Sequence, residues 1–208
     1  MSGAGADVIA SIEALEAIYS GVSQASVVKE VTALTPAYRA IVEASPFLAI
    51  ASAGPEGLDC SPRGDLHELV RIVDDRTLLL PDRRGNNRID TLRNLVRDPR
   101  IALLFLVPGS NTTLRINGRA RILTTPDLLE SFAVEGKTPR TVIEVAIERV
   151  YFQCARAVIR AGLWEQATQM RAASVPTPGA ILAEITTGDF DGASYDAEWP
   201  ERAKRSMW

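Results

Sequence analysis

The stretch from Thr113 to Thr124 constrains the fold more than any other part of the chain. Leu114, Ile116, Gly118, Ala120 and Ile122 fall on one side of an extended backbone, and Arg115, Asn117 and the basic Arg119 and Arg121 on the other. Such a segment must bury its apolar side in a sheet while its polar side stays in water or meets a ligand. Further strands are predicted at 47–51, 58–63, 69–73, 77–80, 101–107 and 141–152, with turn chemistry at Gly54-Pro55-Glu56-Gly57, Asp74-Asp75, Pro81-Asp82 and Pro108-Gly109-Ser110-Asn111. Mostly short connections favour an antiparallel sheet or barrel over alternating βαβ units.

Helical patterns flank this region. Ile9, Ile12, Leu15 and Ile18 recur at spacings of three and predict an amphipathic helix over 7–20. A second helical stretch, 26–44, is interrupted near Thr35-Pro36, where proline suits a first turn. Others are predicted at 89–96, at 127–134 after Thr125-Pro126, at 155–166 and at 179–187. The chain after Gly188 reads as a polar tail with Trp199 and Trp208 as isolated anchors. No repeat and no long linker divides the 208 residues, a length compatible with one large domain or two small ones when about 150 residues per domain is usual.

Charge and rare residues exclude several functions. With 23 basic and 26 acidic side chains the net charge is −3, so no global field draws the chain to nucleic acid or to an anionic membrane, and any anion site must be local. One histidine, His67, and two distant cysteines, Cys60 and Cys154, argue against a zinc cage and against a disulfide framework. No metal site is expected. The first 21 residues lack the basic and continuous apolar regions of a signal peptide, and apolar runs such as 101–107 fall far short of the roughly 20 residues that cross a bilayer. A cytoplasmic protein is expected.

The most informative polar stretch is 80–93, Leu-Pro-Asp-Arg-Arg-Gly-Asn-Asn-Arg-Ile-Asp-Thr-Leu-Arg. A strand ends, a turn rich in glycine and asparagine follows, and a helix begins, so backbone N–H groups and Arg83, Arg84 or Arg88 can converge on an anion. The plainer reading is a surface turn whose arginines pair with Asp82 and Asp90 while Asn87 or Asp90 caps the helix. Neither a nucleotide-triphosphate loop nor the dinucleotide glycine fingerprint is present. A second polar point is Cys60-Ser61-Pro62-Arg63-Gly64-Asp65, where arginine and glycine together allow close approach to a ligand, or where Arg63 bridges Asp65 in a simple turn. The polar side of 112–120 and the segment from Arg156 to Trp164 complete the set, each with a plain alternative: a solvated strand face and a core anchor.

Together, SPFLAIASA, DCSPRGD, VRIVDDRTLLLPDRRGNNRIDTLRNL, DPRIALLFLVPG and TLRINGRARI resemble the FMN-binding split β-barrel family related to pyridoxamine 5′-phosphate oxidase, in its FMN-dependent-enzyme branch, over about 41–164. The resemblance implies a mainly β, α+β fold: a six-stranded antiparallel split barrel with flanking helices. It implies one domain over 1–208, with N-terminal helices at 1–44, the barrel at 45–153 and C-terminal helices and tail at 154–208. It also implies a homodimer with FMN in clefts at the subunit interface.

The family pattern then assigns residues. Arg63 and Gly64 match the second-strand arginine that approaches the flavin and its phosphate. Leu80, Pro81 and Asp82 match the strand end along the ring and ribityl chain, and Asn86, Asn87 and Arg88 the basic phosphate clamp. Thr113 and Arg115 align with a Gln-x-Arg-x-x-Gly strand that reaches the cofactor from the partner, threonine replacing glutamine with a shorter reach. Arg160 and Trp164 resemble a helix ending in Leu-Trp that lines the cleft. The substrate-holding Arg-Leu-His ending of the vitamin B6 oxidases has no counterpart in Glu201 to Trp208, so oxidation of a B6 vitamer is not expected. The implied activity is an FMN-dependent oxidoreductase in which flavin N5 exchanges a hydride with an unidentified small substrate, with no catalytic side chain assigned. The alternatives are a flavin-binding protein that stores or senses the cofactor, or a split-barrel reductase using a deazaflavin; one histidine argues against haem.

Overall fold

In the computed structural model, which describes residues 8–207, the alternating stretch forms a strand of Thr113–Leu123 at the centre of a seven-stranded sheet. In chain order the strands are β1 (Phe47–Gly54), β2 (Gly57–Gly64), β3 (Arg71–Ile72), β4 (Thr77–Pro81), β5 (Arg100–Leu106), β6 (Thr113–Leu123) and β7 (Val142–Gln153). They pair antiparallel throughout, in the order β2-β1-β5-β6-β7-β4-β3. The expected antiparallel α+β character is observed. The count is seven where the family resemblance implies six; the two-residue β3 falls within the segment predicted at 69–73 and folds back on β4 across a turn closed by the Arg76 N–H donating to Asp74 Oδ1 at 2.8 Å. Among the described residues no pairing joins β2 to β3, so the hydrogen-bonded order is open.

The helices are α1 (Ile12–Glu16), α2 (Gln24–Val28), α3 (Pro36–Ala44), α4 (Asp90–Arg97), α5 (Pro126–Glu130), α6 (Arg156–Ala161), α7 (Gln166–Gln169), α8 (Pro178–Ile185) and α9 (Gly192–Ser206). The chain forms two compact units, the first ending at Glu30 and the second beginning at Val31. In the first, Ser11 and Ser23 cap α1 and α2. The helix expected over 7–20 shrinks to five residues because no described residue of this unit is buried, and a short amphipathic helix without a packed face is marginal. Residues 1–7, part of that expectation, and the anchor proposed at Trp208 lie outside the described residues.

In the second unit the core follows from strand alternation. Leu48 and Ile50 of β1, Leu103 and Phe105 of β5, Leu114 and Ile116 of β6 and Val145 and Val150 of β7 are almost wholly removed from water. Strand β4 is apolar on both faces: Leu78 and Leu80 enter this core, while Leu79 packs with Phe132 and Val142 in a smaller cluster beside α5. A run of three leucines is what a strand covered on both sides requires. Helix α3 starts where proline placed it, with the Thr35 hydroxyl accepting from the Tyr38 N–H at 3.2 Å.

The polar tail expected after Gly188 is instead mostly α9. Asp191 caps it by accepting from the Ser194 N–H at 3.0 Å, and Arg202 lies over the rings of Tyr195, at 4.2 Å, and Trp199, at 5.3 Å. These contacts sit at helical spacings on a polar helix, and Pro200 within it masks the pattern. Among the described residues no helix is long and apolar enough to cross a membrane.

Gly118 is among the glycines fixed by close approach. The register of β6 against β7 shifts at Asn117/Gly118, and a Cβ on Gly118 would stand 2.1 Å from the Ala146 carbonyl oxygen. Gly118→Ala should therefore lower the unfolding free energy by roughly 1–3 kcal/mol, whereas Gly85→Ala, with nothing within 4 Å of its added methyl, should change it by less than about 0.5 kcal/mol. Denaturant titration of both variants checks the contrast, and equal losses would refute it.

Candidate functional site

A cavity of about 460 Å³ opens where the chain leaves β4. Its wall is built from the end of β2, the end of β4, the loop 82–89, the first turn of α4 and residues 140–141 just ahead of β7. The strand pairing explains why these segments meet. Antiparallel β4 and β7 place Pro81 opposite Val142, and the Asp82 N–H continues the ladder by donating to the Thr141 carbonyl at 2.9 Å. Helix α4 is then fixed from below, where Thr91 and Asn94 are buried on the face toward β1 and β2.

Of the residues expected at the site, Arg63, Gly64, Leu80, Pro81, Asp82, Asn86, Asn87 and Arg88 all line this cavity. Leu80 and Pro81 are buried and form its apolar part. Arg63 donates to the Pro62 carbonyl at 2.9 Å and to the Thr91 hydroxyl at 3.4 Å, and its guanidinium lies 3.9 Å from the Asp82 carboxylate. Behind Thr91 stands Asp59, which accepts from both the Thr91 and Ser61 hydroxyls. Asn87 adopts φ 61°, the left-handed conformation that asparagine tolerates, and its side chain accepts from Arg140 at 3.0 Å. Asn86 accepts from the Arg88 N–H at 2.9 Å and shapes the turn.

Arg88 itself is 79% exposed and pairs with Asp90 at 2.6 Å, as the plain surface-turn reading anticipates. Neither Asn87 nor Asp90 caps α4, whose N-cap is Ile89 without a side-chain bond. The simple bridge between Arg63 and Asp65 does not form. Asp65 is taken instead by Arg83.

Thr113, Arg115, Arg160 and Trp164 do not line the cavity. Thr113 is buried at the start of β6, and Arg115, on its exposed side, donates to the Tyr151 hydroxyl at 3.1 Å. Arg160 is exposed on α6, and the Trp164 indole N–H donates to the Ser110 carbonyl at 2.7 Å, an anchoring contact.

Sequence reasoning missed Arg140 and Thr141, and it read Arg83 as an anion contact and Asp65 as a partner of Arg63. Asp65 and Arg83 form a buried pair, 2% and 14% exposed, with Nε 2.9 Å from Oδ2, and Arg83 also donates to the Phe132 carbonyl at 2.5 Å. Arg140 and Thr141 lie just ahead of β7, the strand paired with β4, and the Thr141 hydroxyl oxygen is buried without a hydrogen-bond partner. The available signal was in β7, whose predicted start at Thr141 should have been placed against the end of β4. Burial raises the Asp82 carboxyl above its ordinary value, while Arg63 and Arg140 pull it back.

The arrangement can hold an anion against several arginines, with an apolar floor for a flat or aliphatic group. His67 and both cysteines stand outside it, so the cavity contains no imidazole and no thiol.

A family model described as pyridoxamine 5′-phosphate oxidase matches residues 34–154. No curated protein matches the chain. Among solved structures, HupZ of Group A Streptococcus is similar at 17% identity and a TM-score of 0.49, over 58% of this chain and 94% of its own. General Stress Protein 26 from Bacillus anthracis gives 11% identity and 0.42, over 55% and 88%. A pyridoxamine 5′-phosphate oxidase-related, FMN-binding protein from Nostoc punctiforme gives 13% and 0.41, over 59% and 86%.

Two variants test the site's construction. Asp65→Asn keeps the shape but removes the charge that Arg83 faces, and should cost about 3 kcal/mol of unfolding free energy; a loss below about 1 kcal/mol would remove the pair's structural role. For Asp82 the sign is the reverse. Its raised carboxyl means that the ionised form is disfavoured by folding, a cost present at neutral pH and absent once pH falls below the unfolded value. Asp82→Asn should thus raise the melting temperature at pH 7, the gain fading as pH drops toward 4; a gain independent of pH would contradict it.

Proposed function

Because the chain belongs to the pyridoxamine 5′-phosphate oxidase family, we propose that it is an FMN-dependent oxidoreductase acting on a small substrate, with the cofactor held in the cavity at the end of β4. The observation that carries this reading is the convergence of Arg63, Arg84, Arg88 and Arg140 around a space with a buried Leu80-Pro81 floor. A phosphate needs the first and a planar ring needs the second. The residues fit the group: arginines outnumber carboxylates that lack a hydrogen-bond donor, and the buried Thr141 hydroxyl leaves hydrogen-bonding capacity in the wall. When bound, the flavin supplies the electron-transfer chemistry.

The protein's own residues bind and orient. Arg63, braced by Thr91 and the Pro62 carbonyl, presents a preorganised positive charge beside the floor. Asn86 and Asn87 hold the loop that carries Arg84 and Arg88. The Arg83 pair with Asp65 closes one wall. In this reading the antiparallel sheet is the family's split barrel and the protein is a cytoplasmic homodimer with one cofactor at each cleft. Thr113 and Arg115, which do not line their own chain's cavity, then serve the partner's, with Arg160 and Trp164 at the cleft edge.

One second reading is a protein that binds the flavin without turnover, since the arginines and the apolar floor suffice for binding alone. Reoxidation of bound, reduced flavin by oxygen or an added acceptor at a rate of at least about 1 s⁻¹ selects the enzyme; a far slower rate selects the store.

The cofactor is tested by the visible spectrum of the purified protein and by fluorescence titration. FMN should bind saturably and at least about tenfold more tightly than riboflavin. Arg63→Ala and Arg88→Ala should each weaken FMN by at least about 1.5 kcal/mol, the value of a hydrogen bond to a charged group. Equal binding of FMN and riboflavin, or unchanged FMN affinity in both variants, would overturn the assignment.

A further inference from the structure

We propose that Asp82 couples the binding of a phosphate-bearing ligand to uptake of a proton, by competing with the phosphate for the arginines of the cavity. The inference rests on the reading of the cavity as an FMN site and adds a specificity-determining residue to it.

Asp65, Glu68 and Asp82 line the cavity, and Asp59 and Asp90 stand behind it, bonded to the lining residues Thr91 and Arg88. From β2, Asp59 is occupied by the Thr91 and Ser61 hydroxyls. From the loop after β2, Asp65 accepts from the His67 N–H at 2.7 Å and from Arg83 at 2.9 Å, and Glu68 is held through both oxygens by Arg71, each at 2.7 Å. At the start of α4, Asp90 is paired with Arg88. Each of these carboxylates accepts at least one hydrogen bond. Asp82 differs. Among the described residues none donates a hydrogen bond to its carboxylate, and its one ion pair, with Arg63, is at 3.9 Å, beyond hydrogen-bonding reach. Its side chain is 23% exposed and lines the cavity.

The cations can be sorted in the same way. Arg83 is committed to Asp65 in a buried pair, whereas Arg88 meets Asp90 in an exposed pair that an incoming phosphate can displace. Arg63, Arg140 and Arg84 remain toward the space, with Asp82 the one carboxylate set against them that no donor holds. A phosphate monoester brings a charge of about −1.5 to −2 into that set. It then shares Arg63 and Arg140 with an ionised, partly buried carboxylate, and two anions that share one set of cations raise the proton affinity of one of them. Protonation of Asp82 removes the repulsion, frees Arg63 and supplies an O–H donor to the incoming anion. By linkage, a ligand that raises the proton affinity of Asp82 must bind more tightly when Asp82 is protonated.

The opposite outcome has a clear chemical meaning. A ligand whose N–H or O–H donates to Asp82 stabilises the carboxylate and releases protons on binding. The sign of the proton exchange thus decides between competition and recognition.

The test is calorimetric titration of the full chain with FMN in phosphate-free buffers of different ionisation enthalpy, between pH 4.5 and 7.5, beside Asp82→Asn. Wild type should take up more protons than Asp82→Asn in the acidic half of this range. At pH 7.5 the variant should bind FMN about five- to tenfold more tightly, with a flatter dependence of affinity on pH. Titration of wild type alone keeps the inference open to refutation if the variant does not fold: an arginine cradle favours the dianionic phosphate and by itself releases protons, so net uptake points to Asp82 and net release overturns its role. Equal proton counts in the two proteins overturn it as well. Equal affinity for FMN and riboflavin instead overturns the reading of the cavity as a phosphate-dependent flavin site, a separate result.

Discussion

Asp65 and Arg83 are eighteen residues apart, at the starts of two different loops, and the cavity depends on their meeting. The carboxylate is almost completely removed from water, a position tolerable for an ionised group only if donors surround it. Arg83 provides one and the His67 N–H the other. Because Arg83 also bonds the Phe132 carbonyl beyond α5, three segments are tied at one point: the exit of β2, the exit of β4 and the end of α5. Desolvating such a pair is costly and adds little net stability. Its value lies in geometry, since the pair holds the two loops and the end of α5 at one point.

Around that fixed wall the charges divide into closed and open groups. Pairs such as Arg83 with Asp65 and Arg71 with Glu68 are saturated by one another and leave little field. Arg63 and Arg140, set against the Asp82 carboxylate, are not saturated, and their field falls within the cavity. A chain whose net charge is −3 therefore produces a locally positive space without a positive surface. Arg88, which the family pattern assigns to the phosphate clamp, is 79% exposed, so its field is screened until a ligand covers it.

Much of this was legible in sequence for reasons that can be named. Alternation in β6 and the leucine run of β4 report burial on one face and on two, which are local consequences of strand geometry. The asparagines at 86 and 87 report a turn because the left-handed backbone at Asn87 is a property of that residue. The Arg88 pair with Asp90 spans two residues and was equally readable. What failed was nonlocal. Asp65 has an arginine two positions before it, and nothing in the sequence shows that it will pair with Arg83 while Arg63 turns to Asp82. Arg140 and Thr141 reach the cavity through the register of β7 on β4, set by the whole sheet. Helix α9 escaped because its cohesion comes from Arg202 stacking on Tyr195 and Trp199, with no apolar stripe to betray it.

The seat of α4 shows how packing and site are one problem. Its inward face carries Thr91, Asn94 and Leu95, of which two are polar and all are buried. Asn94 donates to the Ser52 hydroxyl at 3.2 Å and occupies the space that Gly54 leaves, since a Cβ there would lie 2.2 Å from the Asn94 amide oxygen. One turn earlier, Thr91 bonds Asp59 and accepts from Arg63. An apolar face could slide along β1 and β2 at small cost, whereas buried polar groups are satisfied in one register only. That register holds the Arg63 guanidinium at the cavity wall and ends the loop that carries Arg84 and Arg88. The polar contacts beneath the helix therefore set the positions of the charges above it.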